Sequence, residues 1–390
     1  MSHVNTIYNQ LLQLLPRHEF EKGVILHKGD KYVKYFTCWQ QFITLLYAQI
    51  RKKDSLRDII TSLCVQYKRW YHIGLKKICR STLSDANNNR SYQIFERLFY
   101  KLLERCKTIT PRHKFRFKNP LHTIDATTIE LCLSIFPWAK YRKTKGAMKL
   151  HFLYDHKGCL PSFIVMTEGR CCDITVVKEK DFSSRLLPDS IISIDRAYID
   201  LKWLQSLTKK RIYYVTRLKK NMKFVVLGQH TVSKNRNVIR DELICFIQAI
   251  QSGGCRDTFR LITYYDPDTK KTLQFLTNNF TLSPVTIAAI YKSRWQIELF
   301  FKWIKQHLKI KSFLGTSKNA LLTQIWVAMC YYLLLTYIKY QTKFKYPLIE
   351  LARIFREILL ERISLIDILS LNKNNLSKLQ LLDNPQLEFF

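Results

Sequence analysis

Tyr291-Lys-Ser-Arg294-Trp-Gln-Ile-Glu298-Leu-Phe-Phe-Lys-Trp-Ile-Lys305 is the stretch on which the reading of this chain turns. A helix advances about 100° per residue, so Tyr291, Arg294, Glu298 and Lys305 project within one sector roughly 60° wide. Ile297, Leu299, Phe300, Trp303 and Ile304 cover the rest of the cylinder and are expected to be buried. One carboxylate, two cations and a phenol thus share a polar stripe on a mostly apolar helix, where an unpaired ion is costly. Two arrangements would satisfy them. Glu298 can pair internally with Arg294 four residues earlier, or the stripe can face a phosphate beside a metal ion.

The composition points to the partner. The chain has 390 residues, with 64 Lys+Arg against 30 Asp+Glu and a formal net charge of +34. Such a charge repels itself unless a polyanion screens it, so nucleic acid is the expected partner. Anionic membrane is the competitor, but the basic residues are spread along the whole length rather than gathered in one block. At 47% hydrophobic and 13% aromatic, the chain can build substantial cores, and its length suggests two or three domains. Eleven cysteines are scattered without CxxC pairs, and residues 1–20 mix polar and charged residues among their leucines. Reduced thiols, no zinc site and a cytoplasmic, nucleoid-associated protein are expected. Ala320 to Ile338 carries no formal charge and is long enough to span a bilayer. Its Thr323, Gln324, Tyr331, Tyr332 and Thr336 favour a buried core helix instead.

Periodicity divides the chain. Residues 1–110 read as helical, with a capping pattern at Ser55-Leu-Arg-Asp58, a turn at His72-Ile-Gly74, and a second helix in Arg80 to Arg90. That is the outline of a helix-turn-helix DNA reader, with Arg80, Ser81, Thr82, Asn87 and Arg90 facing DNA; a plain helical bundle gives the same outline. Strands are expected at Leu121 to Thr127, Lys149 to Asp155, Leu160 to Thr167, Ile191 to Asp195 and Ile212 to Thr216, with helices near Thr175 to Phe182 and Leu201 to Leu207. This is an α/β pattern with a mixed sheet. Residues 218–280 interrupt it with strand-like runs and read as a β-rich insertion, after which Pro284 opens the signature helix. The core is therefore expected in 118–217 and 281–345, followed by a C-terminal helical region and polar tail in 346–390.

Asp125 in Thr-Ile-Asp-Ala-Thr and Asp195 in Ile-Ser-Ile-Asp-Arg stand at the ends of apolar strands, where α/β sheets build sites. Either alone also suits a turn or helix cap. Glu298 supplies a third carboxylate. Three converging carboxylates repel one another unless a divalent metal lies between them, and hard oxygen ligands favour Mg²⁺ or Mn²⁺. Two such ions suit an in-line phosphoryl transfer. Glu130, Asp155, Asp173 and Asp200 are alternative carboxylates, with Asp200 best read as a helix cap and Glu130 and Asp155 as turn residues.

These three acids, with the Tyr-x-x-Arg-x-x-x-Glu-x-x-x-x-x-x-Lys spacing, resemble the DDE transposases of bacterial insertion sequences, specifically family four with its Tyr-Arg-Glu-Lys signature. Phe136-Pro-Trp-Ala139, Lys145-Gly, Lys149-Leu-His151, Asp195-Arg-Ala-Tyr198, Val215-Thr-Arg217 and Leu276-Thr-Asn278 extend the similarity, and residues 55–58 and 80–85 look like the N-terminal domain of many members. The resemblance implies a ribonuclease H-like core preceded by a helical DNA-binding domain. It implies cut-and-paste transposition through a DNA hairpin on the transposon end, with double-stranded transposon ends and target as partners and a homodimer in the DNA complex. Tyr291, Arg294 and Lys305 would clamp the DNA backbone, and Arg217, Lys145, Lys149, Arg80 and Arg90 would bind DNA. A hydrolytic nuclease of the same fold and a non-catalytic repressor derived from it are the alternatives. Two departures stand out. Gly169-Arg-Cys-Cys172-Asp173 replaces the Gly-x-x-His-Asp of many members, and no Trp lies between Trp203 and Trp295 to hold a flipped base, a role left to Tyr264, Tyr265 or Phe275.

Overall fold

The computed structural model describes residues 5–142, 145–232, 237–247, 258–310 and 313–370; the polar tail at Asn372 to Ser377 lies outside them. The chain forms two compact units, one of residues 1–110 with 305–390 and one of residues 111–304. The expected core segment 281–345 is thus divided after Ile304.

The first unit is helical. Its helices are α1 (Ile7–Gln13), α2 (Arg17–Leu26), α3 (Cys38–Ile50), α4 (Leu56–Val65), α5 (Trp70–Ile73), α6 (Arg80–Asn89) and α7 (Gln93–Ile109). Thr37 and Gln40 form a reciprocal capping box on α3, and the Ser55 hydroxyl accepts from the Asp58 N–H to start α4. Gly74 ends α5 with φ +69°, a backbone value that glycine adopts without strain. In α6, Arg80, Ser81 and Thr82 are exposed. Asn87 is buried rather than turned outward, its side-chain oxygen accepting from Gln41 at 2.9 Å, and the half-buried Arg90 guanidinium donates to the Phe36 carbonyl and lies over its ring.

The apolar segment becomes a 24-residue helix, Lys318–Gln341, that is long and apolar enough to cross a membrane by length and composition. It is instead buried against α7 and α3, with the Trp326 ring 5.2 Å from that of Phe99. Apolar residues on every side of a helix suit a position with protein all round it.

The second unit is built on one sheet. Its strands are β1 (Leu121–Leu131), β2 (Lys140–Arg142), β3 (Lys145–Asp155), β4 (Leu160–Glu168), β5 (Ile191–Ile194), β6 (Tyr213–Arg217), β7 (Phe224–Gln229), β8 (Val238–Phe246), β9 (Phe259–Asp266) and β10 (Lys271–Thr277). The order β4-β3-β1-β5-β6, with β4, β3 and β1 antiparallel and β1, β5 and β6 parallel, is a ribonuclease H-like core. Helices α8 (Asp173–Glu179) and α9 (Leu201–Lys209) follow β4 and β5.

The segment 218–280 is rich in strands but does not stand apart from the core. β10 pairs antiparallel with β6, and β9, β8 and β7 continue outward from it, so the same sheet runs on. β8 escapes a periodicity reading because Arg240-Asp241-Glu242 sits in its middle. Asp241 is 3% exposed and grips Arg260 of β9 with two bonds of 2.9 and 2.7 Å. Unpaired, either charge would be intolerable there.

Past the sheet come α10 (Pro284–Ser293) and α11 (Trp295–His307), capped at the start by the Ser283 hydroxyl. The signature stretch is therefore two helices meeting at Arg294. There the Arg294 and Ile297 amides both bond three residues back, a local tightening of the coil. Leu299 is 54% exposed, against the expectation that it is buried, because it lies next to the polar stripe.

Candidate active site

Register does most of the assembly. On neighbouring parallel strands Ile124 of β1 pairs with Ile194 of β5, so the next residues on each, Asp125 and Asp195, stand side by side. Parallel neighbours lie about 4.8 Å apart. Ile124 and Ile194 belong to the core on one face of the sheet, while Leu121 and Ile191 belong to the core on the other, together with Ile287 and Ile290 of α10. Alternation then turns both aspartates toward the face that α10 and α11 cover. Asp125 lies within β1 rather than at its end, because β1 runs on beside β3 to Leu131 after its pairing with β5 stops.

α11 lies on this face through Phe300 and Phe301, whose rings are 5.4 and 5.3 Å from Phe152, the register partner of Asp125 on β3. Its first turn is also tied to the sheet. Gln296 bonds His156 at 3.1 Å, and His156 bonds Thr123 of β1 at 2.8 Å.

At the joint between the two helices, Arg294 bridges two of the acids. Nη1 donates to Asp125 at 2.9 Å and Nη2 to Glu298 at 2.6 Å, with side-chain exposures of 13% for Arg294, 19% for Asp125 and 34% for Glu298. The internal pair anticipated between Arg294 and Glu298 is present, and it extends to Asp125. Burial pushes the Asp125 carboxyl up to about 6; the Ala126 amide and Arg294 oppose this, while Asp195 and Glu298 add to it. Burial also raises the Tyr291 phenol, whose ring lies 5.8 Å from the Arg294 guanidinium. Asp195 accepts from the Ala197 amide at 3.2 Å. Beneath the aspartates Tyr198 is 1% exposed, and burial, with Asp125, Asp173 and Asp195 nearby, pushes its phenol upward.

Among the described residues no three carboxylate, imidazole or thiolate groups are close enough together to hold a metal ion. The Arg294 guanidinium spans Asp125 and Glu298 and places a positive charge between them. The donor set itself, three carboxylates, suits a hard divalent ion, and it is burial that holds the Asp125 carboxyl up at about 6.

A cavity of about 570 Å³ opens beside the acids, with Asp195, Arg217, Tyr264, Phe275, Tyr291, Arg294 and Trp295 in its wall. Tyr264 and Phe275 therefore reach it, whereas Tyr265 is 40% exposed on the other side of its strand and is absent from the lining.

The remaining expected residues scatter. Lys149 is only 17% exposed and donates to Asp173 and to the Cys171 carbonyl, both at 2.9 Å. The Lys145 side chain lies outside the described residues. Lys305 follows Glu298 by two turns of α11 and belongs to the helical unit. Asp200 caps α9 by accepting from the Trp203 N–H, as its position suggested. Glu130 and Asp155 lie within strands rather than turns, although Asp155 does accept from the Lys157 amide in the turn that follows. His156 and Gln296 carried no signal in the sequence, since a polar turn residue and a half-exposed glutamine look like ordinary surface.

The sequence profile described as a transposase DDE domain matches residues 117–334, and a domain of unknown function (DUF4372) matches residues 3–76. A probable transposase for insertion sequence element IS5377 of Geobacillus stearothermophilus is 30% identical over 311 residues, 76% of this chain and 80% of that protein. The putative transposase y4zB of Sinorhizobium fredii is 30% identical over 283 residues, covering 72% and 77%. Among solved structures, the piggyBac transposase synaptic complex with hairpin DNA aligns with a TM-score of 0.48 at 12% identity, over 98% of this chain and 81% of that one.

Proposed function

The chain belongs to the DDE transposases of insertion sequences, DNA-cleaving and strand-transferring enzymes, and from that premise we propose that Asp125, Asp195 and Glu298 are its catalytic carboxylates. The observation that carries this is the placement of two aspartates on adjacent rungs of parallel strands with Glu298 joined to one of them through Arg294. Mg²⁺ or Mn²⁺, two ions in this reading, would be held by the three acids. When bound, they activate an attacking water or 3′-hydroxyl and stabilise the leaving oxygen.

The protein's own groups prepare that chemistry. Arg294 holds Asp125 and Glu298 in place while no metal is present. A DNA phosphate offers it a better partner, since a guanidinium grips two phosphate oxygens with its planar fork. Arg294 would then move from the acids to the backbone, with the Tyr291 hydroxyl and the Lys305 ammonium completing the clamp. Ends and metal would bind in favour of each other as a result.

The cavity beside the acids suits a base displaced from the terminal stack, with Tyr264 and Phe275 as its faces in place of the missing Trp. Displacing such a base would ease the sharp bend of the terminal strand in a hairpin formed during cut-and-paste excision. Two copies acting on paired ends complete the reading.

The test is incubation of the full chain with Mg²⁺ and a duplex bearing its own element's end, resolving nicks, hairpins and joined products on a denaturing gel. Replacing Asp125, Asp195 or Glu298 with Ala should abolish cleavage while end binding in a gel-shift assay is largely kept. A variant that nicks at the wild-type rate removes its residue from the catalytic set.

A further inference from the structure

One buried imidazole in the sheet-bearing unit has a partner on each ring nitrogen. His156 follows β3, is 5% exposed, and donates its backbone N–H to the Leu121 carbonyl at 3.0 Å. Its Nε2 lies 2.8 Å from the Thr123 hydroxyl and its Nδ1 3.1 Å from the Gln296 amide oxygen. An amide oxygen can only accept, so Nδ1 carries the proton and Nε2 accepts from Thr123. Burial keeps this ring neutral, holding its pKa down at about 4 against the Gln296 bond, with His122 and His113 adding to the depression.

Both partners sit two residues from a carboxylate. Thr123 precedes Asp125 on the same face of β1, and Gln296 precedes Glu298 on α11. Gln296 and Phe300 are spaced i, i+4 and form one stripe of the helix, with Glu298 roughly 200° around from Gln296. The rotation of α11 about its axis therefore decides where Glu298 points. Phe300 and Phe301 press the helix onto Phe152, but apolar contact is non-directional and resists such rotation weakly. A hydrogen bond is directional and does resist it.

We propose that His156 is a positioning residue for Glu298, bridging Thr123 of β1 to Gln296 of α11 so that the helix presents its carboxylate to Asp125. This rests on the reading of Asp125 and Glu298 as metal ligands. It resembles the outer partners of metal sites, whose loss lowers metal affinity about 10–100-fold without removing a ligand.

The experiment measures Mn²⁺ binding from the loss of the free-ion paramagnetic resonance signal, with the full-length protein bound to its end duplex. His156→Ala and Gln296→Ala are each expected to weaken Mn²⁺ binding about tenfold, with the double variant no weaker than either single one. Thr123→Val should behave like them, and Thr123→Ser, which restores the hydroxyl, like wild type. Gln296 is on the surface, so its variant folds even if His156→Ala does not. Wild-type Mn²⁺ binding in folded Gln296→Ala and Thr123→Val, or additive losses in the double variant, would overturn the positioning role while leaving the ligands standing. Wild-type binding in Glu298→Ala would overturn the ligand assignment, and the positioning role with it.

Discussion

Replacing Asp125 with Asn should make the protein more stable at pH 8 without metal, and inactive. In the native state burial raises this carboxyl from 3.8 to about 6 even with Arg294 beside it. The folded protein therefore binds more protons than the unfolded chain between those values. Stability falls as pH rises through that window, and the full penalty is present above about pH 6. Two pKa units correspond to about 3 kcal/mol, and partial solvent access reduces this to about 1.5–3 kcal/mol. Asn keeps the shape and the acceptor facing Arg294, gives up the bond from the Ala126 N–H, and has no charge to desolvate. For a unit of this size each kcal/mol moves the melting temperature by about 2–4 °C, so a gain of about 3–12 °C is expected. Thermal melts of both proteins in EDTA at pH 8 and pH 4 are the assay, since all other titrating groups are common to the pair. The difference should shrink toward zero at pH 4. A variant that melts below wild type at pH 8, or by a margin independent of pH, would refute the argument, because attraction to Arg294 would then exceed the desolvation penalty.

Other expectations follow from charge and packing. The basic runs at Lys140 to Lys149, Lys209 to Lys223 and Lys302 to Lys311 should give a slope of log K against log salt steeper than about −5, as each duplex phosphate neutralised contributes about −0.9; a nearly flat dependence would make them mere solvated surface. Arg294→Ala should accumulate nicked ends with little hairpin, read on a denaturing gel, whereas joint loss of nicking and folding would leave Arg294 as a structural brace. Removing either member of the buried Asp241–Arg260 pair by Ala should destabilise the sheet by about 3–5 kcal/mol in denaturant unfolding, and a loss under 1 kcal/mol would mean that water reaches the remaining charge.

Local pattern and the spacing of the signature residues made the strands carrying Asp125 and Asp195 and the helix carrying Glu298 legible. What stayed hidden involves partners far apart in the chain. Arg294 reaches Asp125 across 169 residues, and no periodicity records that. The continuation of the core sheet through β10 was invisible for the same reason, since a strand's pattern says that it pairs but not with which neighbour. Cations were the other blind spot. Lys149 and Arg90 have partners within the fold, Asp173 and the Phe36 carbonyl, that their positions in the sequence do not reveal. Net charge says how many phosphates a chain can neutralise, but not which residues are free to do it.

The three acids are held by unlike means. Asp125 and Asp195 owe their proximity to a ladder of main-chain hydrogen bonds, which any sequence able to form the two strands would reproduce. Glu298 owes its place to side chains: a guanidinium, two phenylalanines, an imidazole and an amide. An element copy decaying by mutation should therefore lose the glutamate's alignment first, through changes that spare all three acids. Such a copy would keep an intact set of acids in its sequence and a sound sheet, yet move no DNA.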